Sequence, residues 1–290
     1  MNEISNLGYF LNSIKKTLPF EDTEDFKKKI DESKEFRIKV QKLVYLSKFF
    51  GWDNSYHFNF HENGPYSCQL SEDYRSIDSF NDKKHDYNFD NDKFKEFTMN
   101  QDTGYFESTS SILYYLSKMN LTQINKNEII SVVTSLKPHL SKDTILKSYE
   151  NILKFDLVNY TPQNSTFDDL NTYEKIVKDK SKGLMSIFER YDVCSNRLFL
   201  LGSLDYFTFV LKHENVDAET RSELLKKLYD YAEEVEKEYF LIHPSNEELI
   251  NIDLSNLEHH FDLLQDYISK ELRIIPKLDE NTDLSIFFEG

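Results

Sequence analysis

Two pairs of histidines have a spacing that could support metal binding. His57 and His61 are four residues apart beside Glu62, and His259 and His260 are adjacent in an acidic segment. On a helix, His57 and His61 would share one face and could bind a metal ion. The alternating aromatic residues around them instead predict a strand, which would separate the two histidines by about 13 Å. His259 and His260 are neighbours on a predicted helix, where adjacent side chains point in different directions. We therefore predict no metal site and no cofactor.

The side chains available for nucleophilic or acid–base catalysis also lack a recognisable arrangement. Cys194 borders the most apolar segment, which is typical of a core thiol. The chain has no HExxH, GxSxG or CxxC motif. The carboxylates of residues 230–248 are most simply a solvated face. We therefore predict no catalytic residues, and an enzyme with an unrecognised site stays an alternative.

The composition limits the class of protein. Seven glycines in 290 residues disfavour Gly-rich phosphate loops and tight all-β folds. Aromatic residues make up 14% of the chain and can build a core although the overall hydrophobic fraction is only 39%. Two cysteines fit a reducing compartment, and neither a secretory signal nor an apolar run of membrane-spanning length is visible. We expect a cytoplasmic protein without a membrane partner.

The negative charge is concentrated at the C-terminal end. The whole chain carries 35 basic and 51 acidic residues, a net charge of −16. Residues 201–290 hold 8 basic and 21 acidic residues, a net charge of −13. This pattern predicts either a solvated helical surface or an acidic face. Such a face would bind a basic partner or mimic nucleic acid.

The most informative segment is residues 38–74. Apolar spacing predicts a helix over 35–50, with Gly51 as its left-handed end. Period-two aromatic residues predict a short strand near 55–61 with His57 on its polar face. Gly64 and Pro65 then break the strand, and we expect Pro65 to open a second helix that continues to about residue 80.

Seven residues of this segment are candidates for partner binding. Gln41 and Tyr45 share a helix face, and Gly64 permits a close approach of the backbone. Tyr66 and Ser67 are predicted in the first helical turn, where free N–H groups could bind an anion or a carboxylate. Alternatively, Pro65 and Ser67 only start the helix and Tyr66 packs on Tyr45. The candidates are Gln41, Lys42, Tyr45, Gly64, Pro65, Tyr66 and Ser67.

The same segment resembles a known family. The run Val40-Gln-Lys-Leu-Val-Tyr-Leu46, the aromatic strand and the run Gly64-Pro-Tyr-Ser67 followed by Leu70 look like the signature of the YwgA-like proteins. These prokaryotic proteins are distantly related to the Panacea, or SocA-like, antitoxin domain. The resemblance covers about 40 residues and implies a regulatory module that binds a protein partner, such as a toxin.

The rest of the chain is predicted to be helical. A short charged helix is predicted over 22–34 with Phe26 and Ile30 facing inward, and Ser141 is a candidate N-cap of a later helix. Three helices followed by a short β-rich run at 155–161 have the order of a winged helix over 107–161, which predicts a second possible β element. In that alternative the nucleic-acid-binding residues are Lys137, Lys142, Lys147 and Lys154. The segment 193–213 is apolar all round, which predicts a helix buried inside a bundle.

These patterns predict a mainly α protein. We divide it into a YwgA/SocA-like helical domain (1–102), a winged-helix-like segment (103–165) and an acidic helical bundle (166–290). The predicted function is a non-enzymatic regulatory or protein-interaction module of antitoxin-like or phage-defence type. Its partner would be a toxin or another basic protein, and the alternative is a winged-helix transcription regulator.

Overall fold

A computed structural model gives the fold. It describes residues 3–52, 54–80, 89–121, 125–158, 169–190, 197–211, 217–241 and 255–271. The elements are α1 (Glu3–Ser13), α2 (Thr23–Glu32), α3 (Lys34–Ser47), β1 (Asn59–His61), β2 (Gly64–Tyr66), α4 (Cys68–Arg75), α5 (Asn91–Thr98), α6 (Thr103–Lys118), α7 (Lys126–Leu136), α8 (Lys142–Lys154), α9 (Leu170–Arg190), α10 (Arg197–Val210), α11 (Ala218–Leu241) and α12 (Ser255–Glu271). The prediction of a mainly α protein with a short β element is confirmed. Within the described ranges, no helix has the length and apolarity needed to cross a bilayer.

The chain forms two compact units. Unit 1 comprises residues 1–166 and contains α1 to α8 with both strands, and unit 2 comprises residues 167–290 and contains α9 to α12. Unit 1 holds 21 basic and 24 acidic residues, a net charge of −3, whereas unit 2 holds 14 and 27, a net charge of −13. Most of the negative charge therefore belongs to unit 2.

The helices of unit 1 begin at side-chain caps. The Asp22 side chain caps α2, the Ser33 side chain caps α3, and the Ser141 hydroxyl accepts a bond from the Thr144 N–H at 3.1 Å at the start of α8. Such caps satisfy N–H groups that have no partner within the helix. Ser141 was predicted to cap α8, and that prediction is confirmed. Gly51 also has the expected left-handed conformation, with φ of 93°.

Strands β1 and β2 form a hairpin that the sequence did not predict. Phe60 pairs with Pro65 and His61 with Gly64 in antiparallel register. Pro65 was expected to open a helix, and this expectation is wrong because Pro65 lies within β2. Helix α4 begins only at Cys68, with Ser67 as its N-cap. Proline is compatible with a short edge strand, where its missing N–H costs no ladder bond.

The hairpin lies inside unit 1. Helices α3 and α6 both pack against β2, and the Phe60 ring lies 5.4 Å from the Tyr114 ring of α6. His57 was predicted on the polar face of a strand near 55–61. Strand β1 begins only at Asn59, so His57 lies before it. The His57 side chain is buried, and its backbone N–H donates to Gln69 Oε1 of α4 at 3.2 Å.

The structure also corrects the second predicted β element. Residues 155–158 form a turn after α8 rather than a strand, and Asp156 has a φ of 54°. Residues 159–161 lie outside the described residues. The helical part of the winged-helix order is present as α6, α7 and α8, but the described residues after α8 contain no strand.

The described residues of unit 2 form four helices. Helix α9 packs against α10 and α11, and α11 packs against α12. Its core includes Leu184, Leu204, Leu228 and Leu264. Cys194 and the expected helical residues 245–254 lie outside the described residues.

Helix α10 departs from its prediction. The segment was expected to be buried all round, but the side chains of Leu198 and Phe209 are 56% and 45% exposed. Leu200 and Leu204, on the opposite face, are fully buried. Helix α10 therefore has one packed face and one partly solvated apolar face.

Candidate functional site

Gln41 connects α3 to the end of the hairpin. Its Nε2 donates to the Ser67 carbonyl oxygen at 3.0 Å, and its Oε1 accepts from the Ser67 N–H at 3.0 Å. Both residues are buried, so these two bonds replace the water that the groups lose on folding. We name the surrounding set of buried polar side chains (Gln41, Lys42, Glu107, Ser111 and Lys137) the hairpin cluster.

Lys42, which follows Gln41 in α3, also donates to the backbone of the hairpin. Its Nζ lies 2.5 Å from the Pro65 carbonyl oxygen, and the side chain is 2% exposed. Burial holds the pKa of Lys42 well below its ordinary value, and repulsion from Lys137 lowers it further while Glu107 partly offsets both. The neutral amine keeps its donors, so the bond to Pro65 does not require a charged lysine.

Lys137 approaches the turn of the hairpin from the end of α7. Its Nζ donates to the carbonyl oxygens of His61, at 3.0 Å, and Glu62. It also lies 4.6 Å from the centroid of the Phe60 ring. Burial lowers the pKa of Lys137 to about 7, against a smaller opposing effect of Glu107.

Glu107 is the carboxylate of the hairpin cluster. Its Oε1 lies 3.9 Å from Lys137 Nζ and 3.1 Å from His139 Nε2. The His139 side chain is 41% exposed, whereas Glu107 is buried. Two buried lysines thus share one buried carboxylate, so Glu107 offsets only part of the lowering of their pKa values by burial.

Gly64 is the point at which the hairpin approaches α6. Its φ is 85°, a conformation that side chains with a Cβ rarely adopt. A Cβ at this position would lie 2.8 Å from Ser111 Oγ, 3.5 Å from Lys42 Nζ and 3.6 Å from Ser110 Oγ. Both the conformation and the space therefore require glycine, as the sequence led us to expect.

The two tyrosines of the motif do not pack on each other. Tyr45 is buried, with its ring centroid 5.1 Å from that of Phe58, and burial raises its pKa. Tyr66 is half-buried, and its ring centroid lies 4.8 Å from that of His61. The alternative that Tyr66 packs on Tyr45 is not what the structure shows.

The structure therefore brings the seven predicted partner-binding residues together. All of them except Tyr66 are buried, and Gln41 and Lys42 direct their polar atoms at the backbone of residues 65–67. In this conformation they hold the hairpin in place, and only Tyr66 has appreciable exposure.

The four lysines of the nucleic-acid alternative are not on one surface. Lys137 is buried in the hairpin cluster, which removes it from any exposed basic face. Lys142 and Lys147 are exposed on α8. Lys154 is exposed but lies 3.1 Å from Glu96, which offsets its charge.

Sequence reasoning missed Glu107 and the hydroxyl side chains that follow it. Residues 107–111 (Glu-Ser-Thr-Ser-Ser) are all buried within α6. Serine and threonine are neutral to unfavourable in helix interiors, so four in succession indicate a place where another chain segment approaches closely. The run of hydroxyl residues is therefore the feature of the sequence that could have predicted the close contact between α6 and Gly64.

The polar contacts of the hairpin cluster hold the backbone of the hairpin in place. Buried donors from α3 and α7 satisfy three carbonyl oxygens of residues 61–65, and Glu107 balances part of their charge. His259 and His260 are exposed on α12 with ring centroids 6.3 Å apart. No group of three or more potential metal ligands occurs within the described part of the chain.

Comparisons with protein-family models, with curated proteins and with solved structures found no match to this chain. The resemblance of residues 38–74 to the YwgA-like and SocA-like proteins therefore stays a prediction from the motif alone. The structure shows that the two halves of that motif are joined by the contacts of Gln41 and Lys42 with residues 65–67.

Proposed function

We propose that this chain is a non-enzymatic protein-interaction protein whose unit 2 binds a basic protein partner. The observation that carries the proposal is a row of exposed carboxylates along α12. Glu258, Asp262 and Asp266 are four residues apart and all exposed, so they share one solvated face. Such a row presents negative charge over about two helical turns, and Lys270, 2.9 Å from Asp266, offsets part of it at one end.

The net negative charge of unit 2 adds to the charge of this row. A net charge of −13 on residues 167–290 attracts positively charged partners, speeds their encounter and makes binding sensitive to salt. Unit 1, at −3, contributes little to this attraction. The charge distribution thus supports unit 2 as the part of the chain that attracts the partner.

The role of unit 1 in this proposal is to hold a shaped hairpin. The polar atoms of Gln41, Lys42 and Lys137 are engaged by backbone groups, which supports a rigid presenting element. The antitoxin-like form of the proposal rests on the resemblance of residues 38–74.

The winged-helix alternative receives less support. Burial of Lys137 and the turn at 155–158 take away one predicted DNA contact and part of the predicted wing. Exposed Lys142 and Lys147 remain compatible with it, and it stays a prediction. Binding to duplex DNA is therefore one arm of the test.

The test is titration of the full chain with a Lys/Ala helical peptide, followed by calorimetry at low and at physiological salt. We expect binding that weakens with salt, and the variant E258Q/D262N/D266N should lose about tenfold in affinity, equivalent to about 1.4 kcal/mol. The matched control E24Q/D31N/E32Q removes three exposed carboxylates from the α2 region of unit 1 and should stay within about twofold.

Two outcomes contradict the proposal. One is equal loss in the two triple variants, which would reduce the effect to net charge. The other is a salt-sensitive shift of duplex DNA by the full chain without binding of the peptide, which would favour the nucleic-acid alternative.

A further inference from the structure

Five residues of α10 form a partly exposed face that we name the α10 stripe: Leu198, Leu201, Gly202, Asp205 and Phe209. Their spacing of three, four, seven and eleven residues from Leu198 places them along one side of the helix. Leu198 and Phe209, near the two ends, are 56% and 45% exposed. Leu201 and Gly202 are partly exposed, and Asp205 is exposed.

The rest of α10 is occupied by contacts within unit 2. Leu200 and Leu204 are buried on the face that packs against α9 and α11. On one flank, the rings of Phe199 and Tyr206 lie 5.9 and 5.7 Å from the ring of Phe261 in α12. The stripe lies opposite Leu200 and Leu204, and its two end residues keep about half of their surface exposed.

The chemistry of the stripe matches one face of an amphipathic helix. Apolar side chains at the ends would pack on apolar residues spaced three and four apart in a partner. Gly202, near the middle, lacks a side chain and permits close approach of a partner backbone. Asp205 offers a carboxylate to a lysine or arginine of that partner.

The charge of unit 2 selects between occupants. A second copy of the chain would bring two surfaces of net charge −13 together, and this repulsion opposes self-association. A helix with a basic rim gains attraction from the same charge. We propose that the α10 stripe is the docking surface for a basic amphipathic helix of the partner protein, an inference that rests on the proposed function.

The test compares two peptides and two variants with the full chain. The probe is a Leu/Lys peptide with its leucines on one helical face, and the control is a peptide of the same composition in scrambled order. We expect the patterned peptide to bind at least about tenfold more tightly, because only it aligns apolar anchors with the stripe.

The variant L198Q/F209Q should weaken binding of the patterned peptide by about tenfold. The matched control is L263Q, because Leu263 of α12 is also 56% exposed but lies outside the stripe. L263Q should leave the affinity within about twofold. Circular dichroism of each variant checks that helix content is unchanged.

Each outcome has a distinct meaning. If the scrambled peptide binds as tightly as the patterned one, or if L198Q/F209Q binds normally, the stripe is not the docking surface, while the proposed binding of a basic partner stands. If neither of these peptides nor the Lys/Ala peptide binds, the proposed function itself fails. If the chain is a dimer that L198Q/F209Q dissociates, as measured by light scattering, the occupant is a second copy and the inference is overturned.

Discussion

In unit 1 the buried Lys137 donates to the carbonyl oxygens of His61 and Glu62, whereas in unit 2 the buried Lys180 lies between two carboxylates. Lys180 Nζ is 2.6 Å from Glu233 and 2.8 Å from Glu236, and Glu236 is fully buried. The nearest carboxylate to Lys137 Nζ is that of Glu107 at 3.9 Å. The two units therefore satisfy a buried lysine with backbone carbonyl groups in one case and with carboxylates in the other.

The difference determines what each site does to its neighbours. In unit 1 burial lowers the pKa of Lys137 to about 7, and the charge of Glu107 opposes part of that shift. In unit 2 burial, together with the charges of Asp230 and Glu233, raises the pKa of Tyr173 to about 12. Burial favours the neutral form of both groups, and the nearby carboxylates oppose this effect in unit 1 and reinforce it in unit 2.

The largest expected effect comes from removing the ammonium in unit 2. K180M leaves Glu236 buried without its counter-charge, and we expect the free energy of unfolding of unit 2 to fall by about 3–5 kcal/mol. Urea unfolding followed by circular dichroism measures this. The control K227M removes a half-exposed lysine 3.6 Å from Glu223 and should cost less than about 1 kcal/mol. Similar losses in both variants would show that Glu236 is not electrostatically dependent on Lys180.

Gly64 provides the next largest effect. G64A combines a left-handed backbone with a Cβ 2.8 Å from Ser111 Oγ, and we expect unit 1 to lose about 2 kcal/mol or more. The chain has a single tryptophan, the buried Trp52 of unit 1, so its fluorescence reports this unfolding transition. G104A is the control, because a Cβ there would meet no atom closer than 3.5 Å. A loss of equal size in G104A would refute the steric argument.

The last expected effect is a pH dependence. Above the Lys137 pKa of about 7 the folded chain has released a proton that the unfolded chain keeps up to the ordinary lysine value of 10.5. The free energy of unfolding therefore rises with pH in this window, by at most about 1.4 kcal/mol per pH unit from this group. Lys42 contributes with the same sign.

The difference between the wild-type protein and K137M isolates the Lys137 contribution. We expect the Trp52-detected unfolding of K137M to gain less stability between pH 7 and pH 10 than that of the wild type. K126M, which removes an exposed lysine of α7, should keep the wild-type slope. Identical slopes in the wild type and K137M would mean that Lys137 stays charged in the folded protein.

Local patterns predicted much of the helical structure. The cap at Ser141 and the buried residues Phe26 and Ile30 of α2 followed from spacing and side-chain chemistry within a few residues. These features depend on neighbours along the chain, which a sequence shows directly.

The remaining features depend on contacts between distant segments. Pro65 is typical of a helix start, and only its pairing with Phe60 makes it a strand residue. Burial of Lys137 depends on carbonyl oxygens about 75 residues away, for which the local pattern gives no signal. The exposed side of α10 is set by how unit 2 assembles rather than by its apolar composition.

Gln41 has a consequence for how so small a sheet persists. An isolated two-stranded hairpin is marginally stable in water. The amide of Gln41 exchanges one N–H and one carbonyl bond with Ser67, just beyond β2, as a residue on an adjacent antiparallel strand does. A helix side chain thus supplies one rung of a third strand, and since glutamate lacks the donor and asparagine is one methylene shorter, neither would complete that rung.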